Sequence, residues 1–286
     1  MNKWAVRGLG ALATAGGAVV MGYGACRSAM REANDAYSRL AGQPAAAPAV
    51  RFHPDMVASL PEIARRYFHH AIAVGTPLYS GVELEMRGRF LLGDKSKFQT
   101  YAMTARQALR APDQFVWLPR LRSGALTITG SDALVDGEAW TRFWLFSLVP
   151  VANEHTSADL VRSAQFRAAV ESALWIPPSL LPVNGVEWEQ LGNNRARVTL
   201  RRFSPAIELF LTLDDTGRVL DVVGQRWSNA NPDKRFRVQP FGGSMLAEGT
   251  FQGLTIPAQV RVGNHYGTAD YHPFFQATIT SAPRYR

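Results

Sequence analysis

From Gly81 onward the chain takes on a period of two. Val82, Leu84, Met86, Gly88, Phe90 and Leu92 alternate with Glu83, Glu85, Arg87 and Arg89, the pattern of a strand with one dry and one wet face. Further alternating or aromatic runs cover 98–109, 114–122, 125–129, 133–135 and 138–146, separated by Gly93-Asp94-Lys95, Pro112-Asp113, Ser123-Gly124, Gly130-Ser131-Asp132 and Asp136-Gly137. A second set covers 186–191, 195–203, 206–213, 219–226, 235–239, 245–251, 256–262 and 274–281, with turns such as Asn193-Asn194, Ser204-Pro205 and Gly263-Asn264 between them. About a dozen strands are too many for a small sandwich. The expected fold is mainly β (α+β): one large curved antiparallel sheet or half-open β-barrel with a helix packed on its concave side.

That helix lies between the two sets of strands. Leu160, Ala164, Ala168, Glu171 and Trp175 fall on one helical stripe, and the helix breaks at Ile176-Pro177-Pro178. Arg167 sits one turn before Glu171. The two form either an ion pair at the rim of a core or a charge pair facing a ligand cavity that the helix plugs or gates. An earlier helix is expected after Ser59-Leu60-Pro61-Glu62, which has capping-box spacing, with Ile63, Tyr67, Ala71 and Val74 as its buried stripe and Gly75-Thr76-Pro77 as its end.

At the other end of the chain, Lys3 and Arg7 precede an uncharged run from Gly8 to Cys26, closed by Arg27 and Arg31. Nineteen residues are enough for one membrane-spanning helix. A cleaved secretory signal opens in the same way, and Tyr23-Gly24-Ala25-Cys26 is similar to a lipobox with Tyr23 in place of an aliphatic residue. Residues 1–26 are therefore expected to be a signal anchor or transmembrane helix, or a lipoprotein signal with Cys26 acylated. Residues 27–54 would be a juxtamembrane helix and a Pro/Ala-rich linker, and residues 55–286 the half-barrel domain. Each alternative puts the domain outside the cytoplasm, at the periplasmic side of the cell membrane. Cys26 is the single cysteine, which excludes an intramolecular disulfide.

A net charge of +8 and a pI near 10.0 invite a nucleic-acid reading, but the basic residues are scattered along strands and form no block. No nucleic-acid partner is expected; attraction to an anionic membrane face fits better. Motifs for chemistry are absent from the sequence. His69 and His70 are adjacent and so diverge on a helix, and the remaining histidines lack ligand spacing, so neither a metal site nor a cofactor is expected. Gly242-Gly243-Ser244 lacks the second glycine of a nucleophile elbow and reads as a loop.

The run Leu160-Val161-Arg162, then Glu171-Ser172-Ala173-Leu174-Trp175-Ile176-Pro177-Pro178-Ser179-Leu180-Leu181, then Gly185-Val186-Glu187-Trp188 resembles the central motif of an uncharacterised bacterial family of membrane-attached proteins, a domain of unknown function. Leu60-Pro61, Arg66-Tyr67-Phe68, Gly249-Thr250-Phe251 and Ile256-Pro257 match it too, and the likeness spans about Leu60 to Thr280. No activity comes with that resemblance. In element order the chain is also similar to the half-open barrels of lipoprotein carriers of the LolA and LolB type. The expectation is an envelope protein that binds or carries a lipid or lipidated protein. Candidate ligand-binding residues are Arg167, Glu171, Trp175, Trp188, Arg226, Trp117 and Trp140, with the arginines and Glu171 orienting a polar head. An enzyme acting on an envelope substrate with Glu171 as acid or base, and a structural partner in an envelope complex, stand as the alternatives.

Overall fold

The computed structural model describes residues 3–42 and 50–286. Residues 3–42 form a single helix, α1 (Lys3–Gly42). The expected linker falls largely on residues 43–49, outside the described residues. Order resumes before Asp55: Phe52 is fully buried and its amide donates to the Thr76 carbonyl. A short 3-10 turn at Pro54–Val57 leads to α2 (Glu62–Ala71).

Fourteen strands follow. The first set is β1 (Gly81–Gly93), β2 (Phe98–Arg110), β3 (Gln114–Ser123), β4 (Leu126–Val135), β5 (Glu138–Leu145) and β6 (Val149–Glu154). After α3 (Ala158–Trp175) come β7 (Val186–Gln190), β8 (Arg195–Leu200), β9 (Ile207–Leu213), β10 (Val219–Ser228), β11 (Arg237–Phe251), β12 (Leu254–Asn264), β13 (His272–Ile279) and β14 (Arg284–Tyr285). They make one antiparallel sheet ordered β6-β5-β4-β3-β2-β1-β13-β12-β11-β10-β9-β8-β7, with β14 on β1. Each set is a meander, and the two join through β1 and β13. The open edges are therefore β6 and β7, the two strands that α3 connects. A sheet of this size coils by its own twist, so the connection between its edges must cross the concave side. The expected mainly β, half-open architecture with a helix on the concave face is what the chain forms.

Strand register assigns the faces. One concave row runs Leu84, Gln107, Trp117, Asp132 and Thr141 across β1 to β5. The main core lies on this side, between the sheet, α2 and α3. A second core lies on the convex side, where Ala33, Ala36, Tyr37 and Leu40 of α1 cover Ala108, Val116, Leu118, Ala133 and Trp140. Strands β2 to β5 are thus dry on both faces over part of their length.

Three expectations are corrected. Gly130-Ser131-Asp132 is no turn: β4 runs through it unbroken, because its alternation continues from Ile128 to Leu134. Gly242-Gly243-Ser244 lies inside β11, where a side chain on residue 243 would run into the Arg261 carbonyl of β12; the glycines are there for close strand approach. Helix α2 starts at Glu62 without a side-chain cap and ends at Ala71, leaving Val74 66% exposed. Among the described residues no helix is long and apolar enough to cross a membrane. Eleven of the nineteen residues from Gly8 to Cys26 are Gly or Ala, which supply helix length with little hydrophobicity.

One carboxylate ties three elements together. Glu83 of β1 accepts from Tyr37 of α1 at 3.2 Å, from Arg284 at 2.7 Å and from Arg286 at 2.6 Å. Burial pushes its pKa up, but the hydrogen bonds from Arg284, Arg286 and Tyr37 outweigh that and hold it below the ordinary 4.5. A depressed carboxylate stabilises the fold above its unfolded value and loses that contribution as pH falls through its folded value. Glu83→Gln is therefore expected to lower stability at neutral pH and to flatten the acid limb of the stability curve below about pH 4.5, as followed by thermal melting. An acid limb identical to that of the native chain would rule this out.

Candidate functional site

Where α3 meets the concave face, its polar groups converge on polar groups of the sheet. Ser157 caps the helix, its Oγ accepting from the Leu160 amide at 3.1 Å. Gly224 of β10 lets α3 approach, since a Cβ there would stand 2.8 Å from the ring of Phe166. That seating turns Arg167 toward the sheet. Its Nε donates to Glu171 at 2.7 Å and its Nη1 to Asp132 of β4 at 2.5 Å, while the guanidinium lies over the rings of Phe115 and Trp117. The second oxygen of Glu171 accepts from Gln107 of β2. The side chains of Arg167, Glu171 and Asp132 are 16%, 14% and 22% exposed, so the cluster is packed, not a rim pair. Burial pulls the Arg167 pKa down, and the Glu171 and Asp132 carboxylates more than reverse this, raising it.

Arg226 of β10 sits differently. Its Nε donates to Ser163 of α3 at 3.2 Å and its guanidinium stacks over Phe241. Among the described residues no carboxylate lies within ion-pair distance of it; Asp132 and Glu171 act on it only from further off. Burial first, and the nearby Arg167 second, depress its pKa to about 10.

Next to Arg226 the concave face continues in rings that α3 meets at its margins, Phe166 on Phe241 and Arg167 over Trp117. The floor there is aromatic. Phe241 packs on Phe274, Phe274 and Phe275 both meet Phe90, and Phe90 packs on Trp117, which meets Phe143. A register shift between β12 and β13 turns both Phe274 and Phe275 to this side. Phe90, Phe143, Phe274 and Phe275 remain only partly buried. Two clefts lie elsewhere: one of about 130 Å³ between Tyr79, Pro112, Ser179 and Asn184, and one of about 300 Å³ between Arg162, Phe210 and Trp227.

Of the residues singled out from the sequence, the structure brings together Arg167, Glu171, Arg226 and Trp117. Trp175 and Trp188 are buried in the α2 end of the core, their indole N–H groups donating to the carbonyls of Pro257 and Leu180. Trp140 faces the other way: it is buried under α1 on the convex side and donates to Ser131. Cys26 is buried within α1. Asp132, Gln107 and Ser163 belong to the cluster and were not expected. The one available signal was the alternation of Ile128, Gly130, Asp132 and Leu134, which places Asp132 on a core-facing side.

Arg167→Met should cost on the order of 3–5 kcal/mol, because it strands two buried carboxylates; chemical denaturation measures it. A loss within about 1 kcal/mol would mean an exposed pair.

Solved structures give only distant likenesses. A putative outer membrane lipoprotein-sorting protein domain from Vibrio parahaemolyticus aligns at 11% identity and a TM-score of 0.38, covering 79% of this chain and 91% of that one. A LolA superfamily protein from Nitrosomonas europaea aligns at 10% identity and 0.39, covering 78% and 92%. A DUF1329 family protein from Desulfovibrio piger aligns at 12% identity and 0.36, covering 78% and 90%. No curated protein matches the sequence. A family profile does, over residues 50–277, which takes in α2, α3 and the strands from β1 into β13, and the motif around Glu171 and Trp188 lies within it. By that match the chain belongs to the family of unknown function DUF6544.

Proposed function

We propose that the concave face binds an amphipathic anionic ligand, a lipid or the lipidated segment of a protein, with its apolar part on the floor formed by Phe90, Phe143 and Phe274 and its head group at Arg226. The observation that carries this reading is the half-buried guanidinium of Arg226, held over Phe241 and bonded to Ser163, with no carboxylate within ion-pair distance among the described residues. Removing a cation from water costs several kcal/mol when nothing compensates it, and one neutral serine hydroxyl compensates little. An anion delivered with a ligand would complete the site. Glu171, by contrast, has both oxygens engaged by Arg167 and Gln107, which supports a packed network over proton transfer.

The test uses the full chain and a fluorescent fatty acid. Arg226→Met should leave the thermal midpoint of the unliganded protein no lower, since it removes a half-buried charge with no acidic partner, and should weaken the fatty acid by about tenfold or more, the worth of a charge-assisted hydrogen bond. A probe with the same tail and an uncharged head should be nearly indifferent to the change. Equal loss for both probes, or no loss for either, would remove Arg226 from the site.

Such a ligand is met at a membrane, and we place the protein at the cell envelope, attached through α1 with its domain outside the cytoplasm. The uncharged run from Gly8 to Cys26 between basic residues supports this. The burial of Cys26 within continuous helix supports an uncleaved segment over an acylated N-terminus. A reporter joined after Arg286 should be active only outside the cytoplasm, and Cys26→Ser should leave membrane attachment intact. Cytoplasmic reporter activity contradicts the location, and an acyl label lost in Cys26→Ser contradicts the uncleaved helix.

A further inference from the structure

On the convex side of the sheet, strand register lines up arginines that have no acidic partner. One row reads Arg122, Ala102, Arg89, Gln276 and Arg261 across β3, β2, β1, β13 and β12; the next reads Arg120, Thr104, Arg87, Thr278 and Gln259. Neither row contains a carboxylate. The five arginines are exposed, and among the described residues none of them makes an ion pair. Other surface arginines of this protein do: Arg197 with Glu189, Arg201 with Glu187, Arg237 with Asp233, and Arg284 and Arg286 with Glu83. Five unpaired guanidiniums on one face are a large share of a net charge of +8. Strand spacing spreads the first row over about 19 Å, and Ala102, Thr104, Gln276 and Thr278 stand between the arginines, so the plate is broad and gently convex. It has no groove that would select one small anion.

The same face carries α1. Gly22 lies against the Leu148 carbonyl, in the turn between β5 and β6. Val20 and Met21, each 71% exposed, precede Gly22 in the helix, and Phe146 of the turn and Val149 of β6, 49% and 55% exposed, flank Leu148. An apolar rim thus stands next to a basic plate, at the point where the uncharged part of α1 leaves the domain.

We infer that this plate and rim dock on an anionic lipid bilayer, the arginines on head-group phosphates and the rim in the interface. The charge complement and the continuity with α1 both point to a bilayer as the occupant. The plate and rim belong to the folded domain, so they would add a second membrane contact to the one proposed for α1. This surface is on the opposite side of the sheet from Arg226, so it stands or falls independently of the ligand site.

Co-sedimentation of the full chain with vesicles tests it, using phosphatidylcholine alone and a phosphatidylcholine and phosphatidylglycerol mixture. Preference for the anionic vesicles is expected, declining as salt shortens the screening length. The triple change Arg89→Gln, Arg122→Gln and Arg261→Gln should reduce binding to the anionic vesicles by about tenfold or more, leaving the weak binding to neutral vesicles as it was. The matching triple change to Lys should keep the anionic preference, which separates loss of charge from loss of fold. Equal binding to both vesicle types, or undiminished binding of the Gln triple variant, would overturn the inference. So would tighter, arginine-dependent binding to double-stranded DNA than to the anionic vesicles.

Discussion

The guanidinium of Arg167 is shared between a carboxylate of its own helix and one from the sheet beneath it. Helix α3 is the connection between the two open edges of a fourteen-stranded sheet, so how it is seated decides what the concave face can hold. An apolar helix on an apolar floor could rotate or slide at small cost, because area burial has no direction. Two carboxylates at 2.5 and 2.7 Å from one planar fork remove that freedom. The rotation they enforce drives Phe166 into the gap left by Gly224 and brings Ser163 to Arg226. The partly buried aromatic floor and the cation at its edge both adjoin that seating.

The convex side is organised by the same kind of tie. A helix with as many alanines as the second half of α1 gains little from each buried side chain, and its packing on Ala108, Val116 and Ala133 is correspondingly shallow. Directional contacts make up the difference: Tyr37 to Glu83, and Arg142 to Glu32 at 2.5 Å. Because Glu83 also holds Arg284 and Arg286, the N-terminal helix and the C-terminal strand are fastened to the same residue of β1. That strand is central in the sheet, and through it the two meanders are joined.

Much of this was legible in the sequence, and the part that was not has definable causes. The alternation of Val82 to Leu92 and the stripe from Leu160 to Trp175 are local periodicities, and both became the elements they announced. The pairing of β1 with β13 joins residues nearly two hundred positions apart, and no local pattern encodes such a partner. Alternation also says which residues share a face without saying which face is concave, so Trp117 and Trp140 read alike although they end on opposite sides of the sheet. Asp132 was hidden by composition. Gly, Ser and Asp in succession suggest a turn, and only the continued alternation around them marks the strand and its inward carboxylate.

The sequence suggested that α3 plugs or gates a cavity, and the cost of lifting it weighs against gating. Lifting the helix would separate Arg167 from Asp132 and Glu171 from Gln107, withdraw Phe166 from its seat at Gly224, and break the bond from the Trp175 indole to Pro257. Exposing one buried ion-pair network of this kind costs about 3–5 kcal/mol, and the aromatic and aliphatic surface uncovered with it adds about 1.5–3 kcal/mol for each large side chain. A ligand would have to supply all of that before gaining anything. The floor at Phe90, Phe143 and Phe274 asks for none of it, because those rings are partly open already. On that reckoning α3 would be a fixed wall of the proposed site, with the head group resting where Ser163 of the helix meets Arg226 of β10.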